Sequence, residues 1–135
     1  MLGAMKMEDK DLVQVAMAYR EHAYAPYSHF KVGAAVLAKS GKVYGGCNVE
    51  NSSYPVGICA ERTAICKAVS EGEREFLAIA IVAGSASPCA PCGMCRQFIA
   101  EMKIPRILMA NLKGEIKAVT LPELLPFAFS EENLQ

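Results

Sequence analysis

Three cysteines and one glutamate are the residues best equipped for chemistry. They sit in Cys59-Ala60-Glu61 and in Pro91-Cys92-Gly93-Met94-Cys95. Thiolates are soft ligands suited to zinc, and three protein ligands leave a fourth position for water, the pattern of a hydrolytic rather than a structural site. Cys92 and Cys95 are three apart, so on a helical first turn they share one face. Pro91 suits a helix start, where its missing N–H costs nothing. The free N–H groups and dipole of a helix N-terminus stabilise thiolates, and Cys59 opens a second helix. Glu61 is two residues from Cys59 and does not share its face, so it is a poor co-ligand and points across the cleft. A carboxylate there can move a proton to and from water, worth roughly 10²–10⁴ in rate. Three thiolates on Zn²⁺ leave a charge of −1, which works against acidifying a bound water. Arg62 and the two helix N-termini are available to offset it.

Competing thiols have to be sorted. Pro88-Cys89-Ala90-Pro91-Cys92 overlaps the second motif. Were Cys89 to join the other three, four thiolates would close the site and end catalysis. Ala90-Pro91 favours extended chain before the helix, which selects the later frame. Cys47 and Cys66 read as small buried hydrophobes, and His22 and His29 as surface or loop residues. Asn48 and Glu50 end a strand two residues apart, so their side chains share a face. They suit sugar hydroxyls, Glu50 accepting and Asn48 doing either. The alternative is a capped strand end.

These residues need elements to carry them. The pattern predicts a helix over 8–24 ended by Pro26, with Leu12, Ala16 and Tyr19 on one face. Strands follow over 31–38 and 42–49 around a hairpin turn. A turn-rich loop over 51–58 leads to a helix over 59–71, stopped by Gly72. Residues 77–83 read as a buried central strand. A loop over 85–91 then feeds a helix over 92–103. A strand pair, 106–112 and 115–119, precedes a short helix opened by Leu121-Pro122-Glu123. The order α-β-β-α-β-α-β-β-α implies one sheet with helices against it and at least one parallel strand pair.

The 135 residues form a single domain, 1–135, with 53% apolar residues. No apolar run approaches the ~18 residues of a membrane span. The apolar excess suggests surface buried between subunits. Fourteen basic residues balance fourteen acidic ones, so the electrostatic footprint of a nucleic-acid binder is missing and a small neutral substrate is favoured. Met1-Leu2-Gly3-Ala4-Met5 lacks the features of a signal peptide. Three of the six cysteines lie within seven residues, which favours free or metal-bound thiols, and the chain reads as cytoplasmic.

With these motifs in this order, the chain resembles the small-subunit cytidine deaminases that act on free nucleosides. The matching stretches are Ala25-Pro26-Tyr27-Ser28, Gly46-Cys47-Asn48-Val49-Glu50-Asn51, Cys59-Ala60-Glu61-Arg62-Thr63-Ala64 and Leu124-Leu125-Pro126. The resemblance implies a three-layer α/β fold with a five-stranded mixed sheet, helices on both faces, and a homotetramer with shared active sites. It implies one Zn²⁺ per chain on Cys59, Cys92 and Cys95, Glu61 as proton shuttle, and Arg62 as partner of the thiolates. Substrate contacts would come from Phe30, Asn48, Glu50, Ala60, Tyr54 and Phe129, with Phe129 covering the base of a neighbouring subunit. The implied activity is hydrolytic deamination of cytidine and 2′-deoxycytidine, with ammonia released. The other readings are deamination of a modified cytosine nucleoside, such as an antibiotic, and a non-catalytic zinc module. Three departures stand out. Met94 replaces a usual alanine and bears on packing around the metal loop. Cys89 is an extra thiol, and Phe127 stands where a small residue is common.

Overall fold

Along each inner strand, successive side chains point to opposite faces of the sheet, and this alternation sorts the core in two. The computed structural model describes residues 7–135; the Met1–Met5 stretch considered above lies outside the described residues. The elements are α1 (Asp9–Arg20), β1 (Val32–Ala38), β2 (Val43–Cys47), α2 (Ala60–Ser70), β3 (Phe76–Ala83), α3 (Gly93–Glu101), β4 (Arg106–Asn111), β5 (Ile116–Thr120) and α4 (Leu121–Leu124). The strand order is β2-β1-β3-β4-β5. β3 pairs parallel with β4, and the other neighbours are antiparallel. The parallel pair requires a crossover, and α3 supplies it. This is the α/β, three-layer, five-stranded mixed sheet expected from the sequence.

On one face, Ala34, Val36, Ile79, Ile81 and Ile107 pack against Ala64, Ile65 and Ala68 of α2 and Ile99 of α3. On the other, Ala35, Ala78, Ala80, Val82 and Leu108 pack against Leu12, Val13 and Ala16 of α1. Glycines let both helices approach β1 and β2 closely. A Cβ on Gly33 would overlap the Ala16 carbonyl of α1. A Cβ on Gly46 would lie 2.5 Å from the Ala64 nitrogen and 2.9 Å from the Ala60 oxygen of α2. Gly46→Ala is therefore expected to destabilise the fold by about 1–3 kcal/mol, the usual cost of overpacking. Denaturant unfolding measures it, and an unchanged midpoint would show that α2 can shift freely.

Element boundaries differ from expectation at α1. That helix ends at Arg20, with Glu21 as its C-cap, not at residue 24. Tyr24 leaves the helical path because its backbone pairs with Asn48 and Glu50 across an isolated bridge to Val49. Cys66 also departs from its reading as a buried hydrophobe. It is exposed and Cys47 only half-buried, because the stripe of α2 that faces the sheet runs through Ala60, Glu61, Ala64, Ile65 and Ala68. His22 and His29 are exposed, as expected.

Candidate active site

The starts of α2 and α3 meet. Cys59 is the N-cap of α2 and Cys92 the N-cap of α3, both in extended conformation with no side-chain cap hydrogen bond. Their thiols are thus free for other partners. Cys95, two residues into α3, is fully buried. The three sulfurs lie within 4.8 Å of one another. Cys59 Sγ and Cys92 Sγ are 3.8 Å apart. A tetrahedral site with Zn–S near 2.3 Å requires S···S of about 3.8 Å, so the donor set fits zinc in both chemistry and spacing. Cys92 is exposed while Cys95 is buried, so the cluster has an open side and a closed one.

Arg62 Nη2 donates to Cys59 Sγ at 3.6 Å. Its Nε is buried without a partner. An unpaired buried guanidinium nitrogen fits a site meant to hold more negative charge. The Cys59 thiol is lowered to about 5, by hydrogen bonding from Cys95 first and then from Arg62. Cys95 is pushed up by the same shared hydrogen bond and by burial.

Glu61 is 4% exposed. Burial first, and then the Cys59 thiolate, push its carboxyl up to about 7. It faces a cavity of about 750 Å³ together with Cys59, Arg62 and Cys92. Phe30, Asn48, Glu50, Tyr54 and Ala60 line the same cavity. The fold thus gathers these predicted residues from the α1–β1 connection, the 3₁₀ turn Tyr54–Val56, the start of α2, and the segment just past β2, which ends at Cys47, so that Asn48 and Glu50 follow the strand instead of ending it.

Asn48 does local work as well. Its Oδ1 accepts from Val32 N at 2.9 Å and its Nδ2 donates to Phe30 O at 2.8 Å. Each end keeps a second donor or acceptor free by capacity. Glu50 Oε1 accepts from the backbone N–H of Tyr27 at 3.0 Å and of Ser28 at 3.1 Å, and Oε2 accepts from the Ser28 hydroxyl. That hydroxyl, before the other contacts, holds the Glu50 carboxyl below its ordinary range. Ser28 had no assigned role in the sequence reading. The Pro26-Tyr27-Ser28 turn signal could have flagged it, because Ser in such turns commonly binds nearby polar groups.

Phe129 does not reach the cavity within the chain. It lines a separate shallow depression with Leu121, Leu125 and Lys103, is 58% exposed, and its carbonyl accepts from Gln97 Nε2 at 2.8 Å. Phe127 is wholly exposed, with φ of 55°. Met94 sits exposed on the cavity wall, so its extra bulk over alanine faces open space instead of the packing behind the metal loop. Cys89 is half-buried on the same wall, outside the three-thiol group. Burial, then the Glu61 charge, push its thiol up.

Three thiols and a buried acid at paired helix starts, set against a mixed sheet, fit a zinc-binding hydrolytic centre of the nucleoside-deaminase class. A family model described as the cytidine and deoxycytidylate deaminase zinc-binding region matches residues 6–111. A cytidine deaminase of Sporosarcina psychrophila is 51% identical over 131 residues, covering 95% of this chain and 96% of that protein. The crystal structure of cytidine deaminase from Burkholderia pseudomallei superposes with a TM-score of 0.88 at 47% identity, covering 91% of this chain and 100% of that one. A blasticidin-S deaminase of Bacillus cereus is 30% identical, over 93% of this chain and 95% of that protein. The chain belongs to the cytidine deaminase family and is an enzyme of that type, with its zinc site at Cys59, Cys92 and Cys95.

Proposed function

We propose that the chain hydrolyses the 4-amino group of cytidine and 2′-deoxycytidine, giving the uridines and ammonia. The observation that carries the reading is the buried Glu61 carboxyl on the cavity wall beside the three thiols. Zinc held by Cys59, Cys92 and Cys95 would supply Lewis acidity there. Glu61 takes one proton of the attacking water and delivers it to N3 of the base, then takes the second from the new C4 hydroxyl and delivers it to the amine, which leaves as ammonia while the 4-oxo group forms. Burial raises the proton affinity of this carboxyl, which suits both halves of such a transfer. Arg62 offsets the charge of the thiolates. Glu50, already ionised and anchored by Ser28, accepts from a sugar hydroxyl, with Asn48 beside it. Phe30, Tyr54 and the Ala60 backbone shape the rest of the cavity. No helix among the described residues is long and apolar enough to cross a membrane. The setting we propose is cytoplasmic salvage of free nucleosides, where a reducing compartment keeps the thiols available for metal.

The test is loss of cytidine ultraviolet absorbance with purified, zinc-loaded protein. Folded, zinc-loaded protein that converts neither cytidine nor deoxycytidine would refute the reading. A blasticidin S arm decides the second reading, which the Bacillus cereus relative motivates; Glu50 and Asn48 favour an unmodified ribose.

The assembly belongs to the same proposal: a homotetramer in which Phe129 covers the base bound to a neighbouring subunit. Its exposure and its distance from its own cavity support this. Phe129→Ala is expected to raise KM about two- to tenfold, as loss of an aromatic contact worth ~0.5–1.5 kcal/mol beyond area burial predicts. Chains carrying Glu61→Gln with intact Phe129, co-assembled with Phe129→Ala chains, should recover the affinity. No recovery in mixed oligomers confirmed by mass would mean that Phe129 acts within its own subunit or that Phe127 does the covering.

A further inference from the structure

Three consecutive residues of α3 face three different tasks. Cys95 joins the thiol cluster. Arg96, half-buried, donates from Nε to the Pro91 carbonyl at 2.9 Å and from Nη1 to the Leu124 carbonyl at 2.9 Å. Gln97 donates from Nε2 to the Phe129 carbonyl at 2.8 Å. Pro91 immediately precedes the ligand Cys92, and Leu124 ends α4, from which the chain runs on to Phe129. One guanidinium therefore ties the metal loop to the C-terminal segment, and the next residue along ties down the carbonyl of Phe129 itself.

We propose that Arg96 and Gln97 are positioning residues that register the C-terminal segment 124–129 on the helix carrying Cys95, so that the metal loop and the aromatic tail are set by one rigid element. For its effect on substrate binding the inference rests on the base-covering role of Phe129 given above. The physical case is the scarcity of other anchors. After α4 the described chain has no strand pairing, Phe127 and Phe129 are exposed, and Phe127 adopts positive φ; the other side-chain tie to the body is the solvent-exposed ion pair of Lys103 with Glu131 at 3.1 Å, two residues beyond Phe129. Such a segment takes its path from a few hydrogen bonds, and each one counts. The planar fork of Arg96 spans two carbonyls at once, which the single ammonium of a lysine cannot reproduce in the same geometry. The two clamps divide the labour. Gln97 touches only the tail, whereas Arg96 touches both the tail and the residue before Cys92.

The experiment compares Gln97→Leu and Arg96→Lys with wild type by hydrogen exchange, zinc competition and steady-state kinetics. Gln97→Leu should speed amide exchange over 125–134 and raise KM about two- to tenfold, the span of one lost neutral hydrogen bond. Its kcat and its zinc retention against a chelator should hold. Arg96→Lys should speed exchange in the tail and also weaken zinc retention. A double-mutant cycle separates positioning from mere stability: in a Phe129→Ala background, Gln97→Leu should add little further to KM. Tail exchange unchanged in both variants overturns the proposal whatever the activity. Full additivity of Gln97→Leu with Phe129→Ala also overturns it. Faster tail exchange with KM unmoved by either Gln97→Leu or Phe129→Ala sustains the clamp and refutes the base-covering role instead.

Discussion

Glu61→Gln is expected to keep its fold and its zinc and to lose at least about 100-fold in kcat, the lower bound for a positioned acid–base group. That is roughly 3 kcal/mol of transition-state stabilisation. The amide has nearly the shape of the carboxyl, so the packing around a side chain only 4% exposed is kept. What is removed is the ability to take a proton and return it. The substitution also takes away a buried group whose ionisation burial opposes, so stability should not fall. Single-turnover deamination of cytidine, with metal content and melting temperature measured on the same preparation, checks all three parts. A variant retaining more than about a tenth of wild-type turnover would remove Glu61 from the acid–base role.

Cys95→Ala and Cys92→Ala should each purify with little zinc, whereas Cys89→Ala should keep close to one per chain. The thiols of Cys59, Cys92 and Cys95 share one small volume, and Cys89 is outside it. Removing one of three thiolates leaves two protein donors, one short of the three that hold a catalytic zinc. Cys95→Ala carries the larger penalty because its thiol is fully buried and water cannot easily substitute for it. Metal analysis after dialysis against a weak chelator measures the outcome. Zinc lost with Cys89→Ala and kept with Cys95→Ala would reverse the choice between the two overlapping motifs.

The residues most legible in the sequence were those whose spacing alone has geometric meaning. Cys92 and Cys95 share a face because a helix repeats every 3.6 residues, and Cys59 was recognisable as a helix start. The sheet was legible too, since its strands are short apolar runs separated by glycine turns such as Gly41 and Gly114, both at positive φ. Less legible was whatever long-range pairing decides. Residues 21–24 have ordinary helical composition, yet the bridge from Tyr24 to Val49 draws them away from α1. Ser28 meets Glu50 across 22 positions, and no periodicity announces that. Arg96 and Gln97 look like routine helix surface until Leu124 and Phe129 are brought to them. Phe129 is hardest of all, because no local periodicity assigns it a task and within its own chain it stays outside the main cavity.

Cys59 and Cys92 lie 33 residues apart, and the chain between them holds α2 and the central strand β3. Zinc between these thiols is a removable staple around the middle of the sheet. A staple of that span restricts the unfolded chain far more than a short clip would, and its free energy of binding becomes folding free energy. The metal-free chain therefore spends more time open to proteases, because degradation follows the population of the open form. In a cell short of zinc, the steady-state amount of this protein would fall along with its activity, and supply of the metal would set its lifetime.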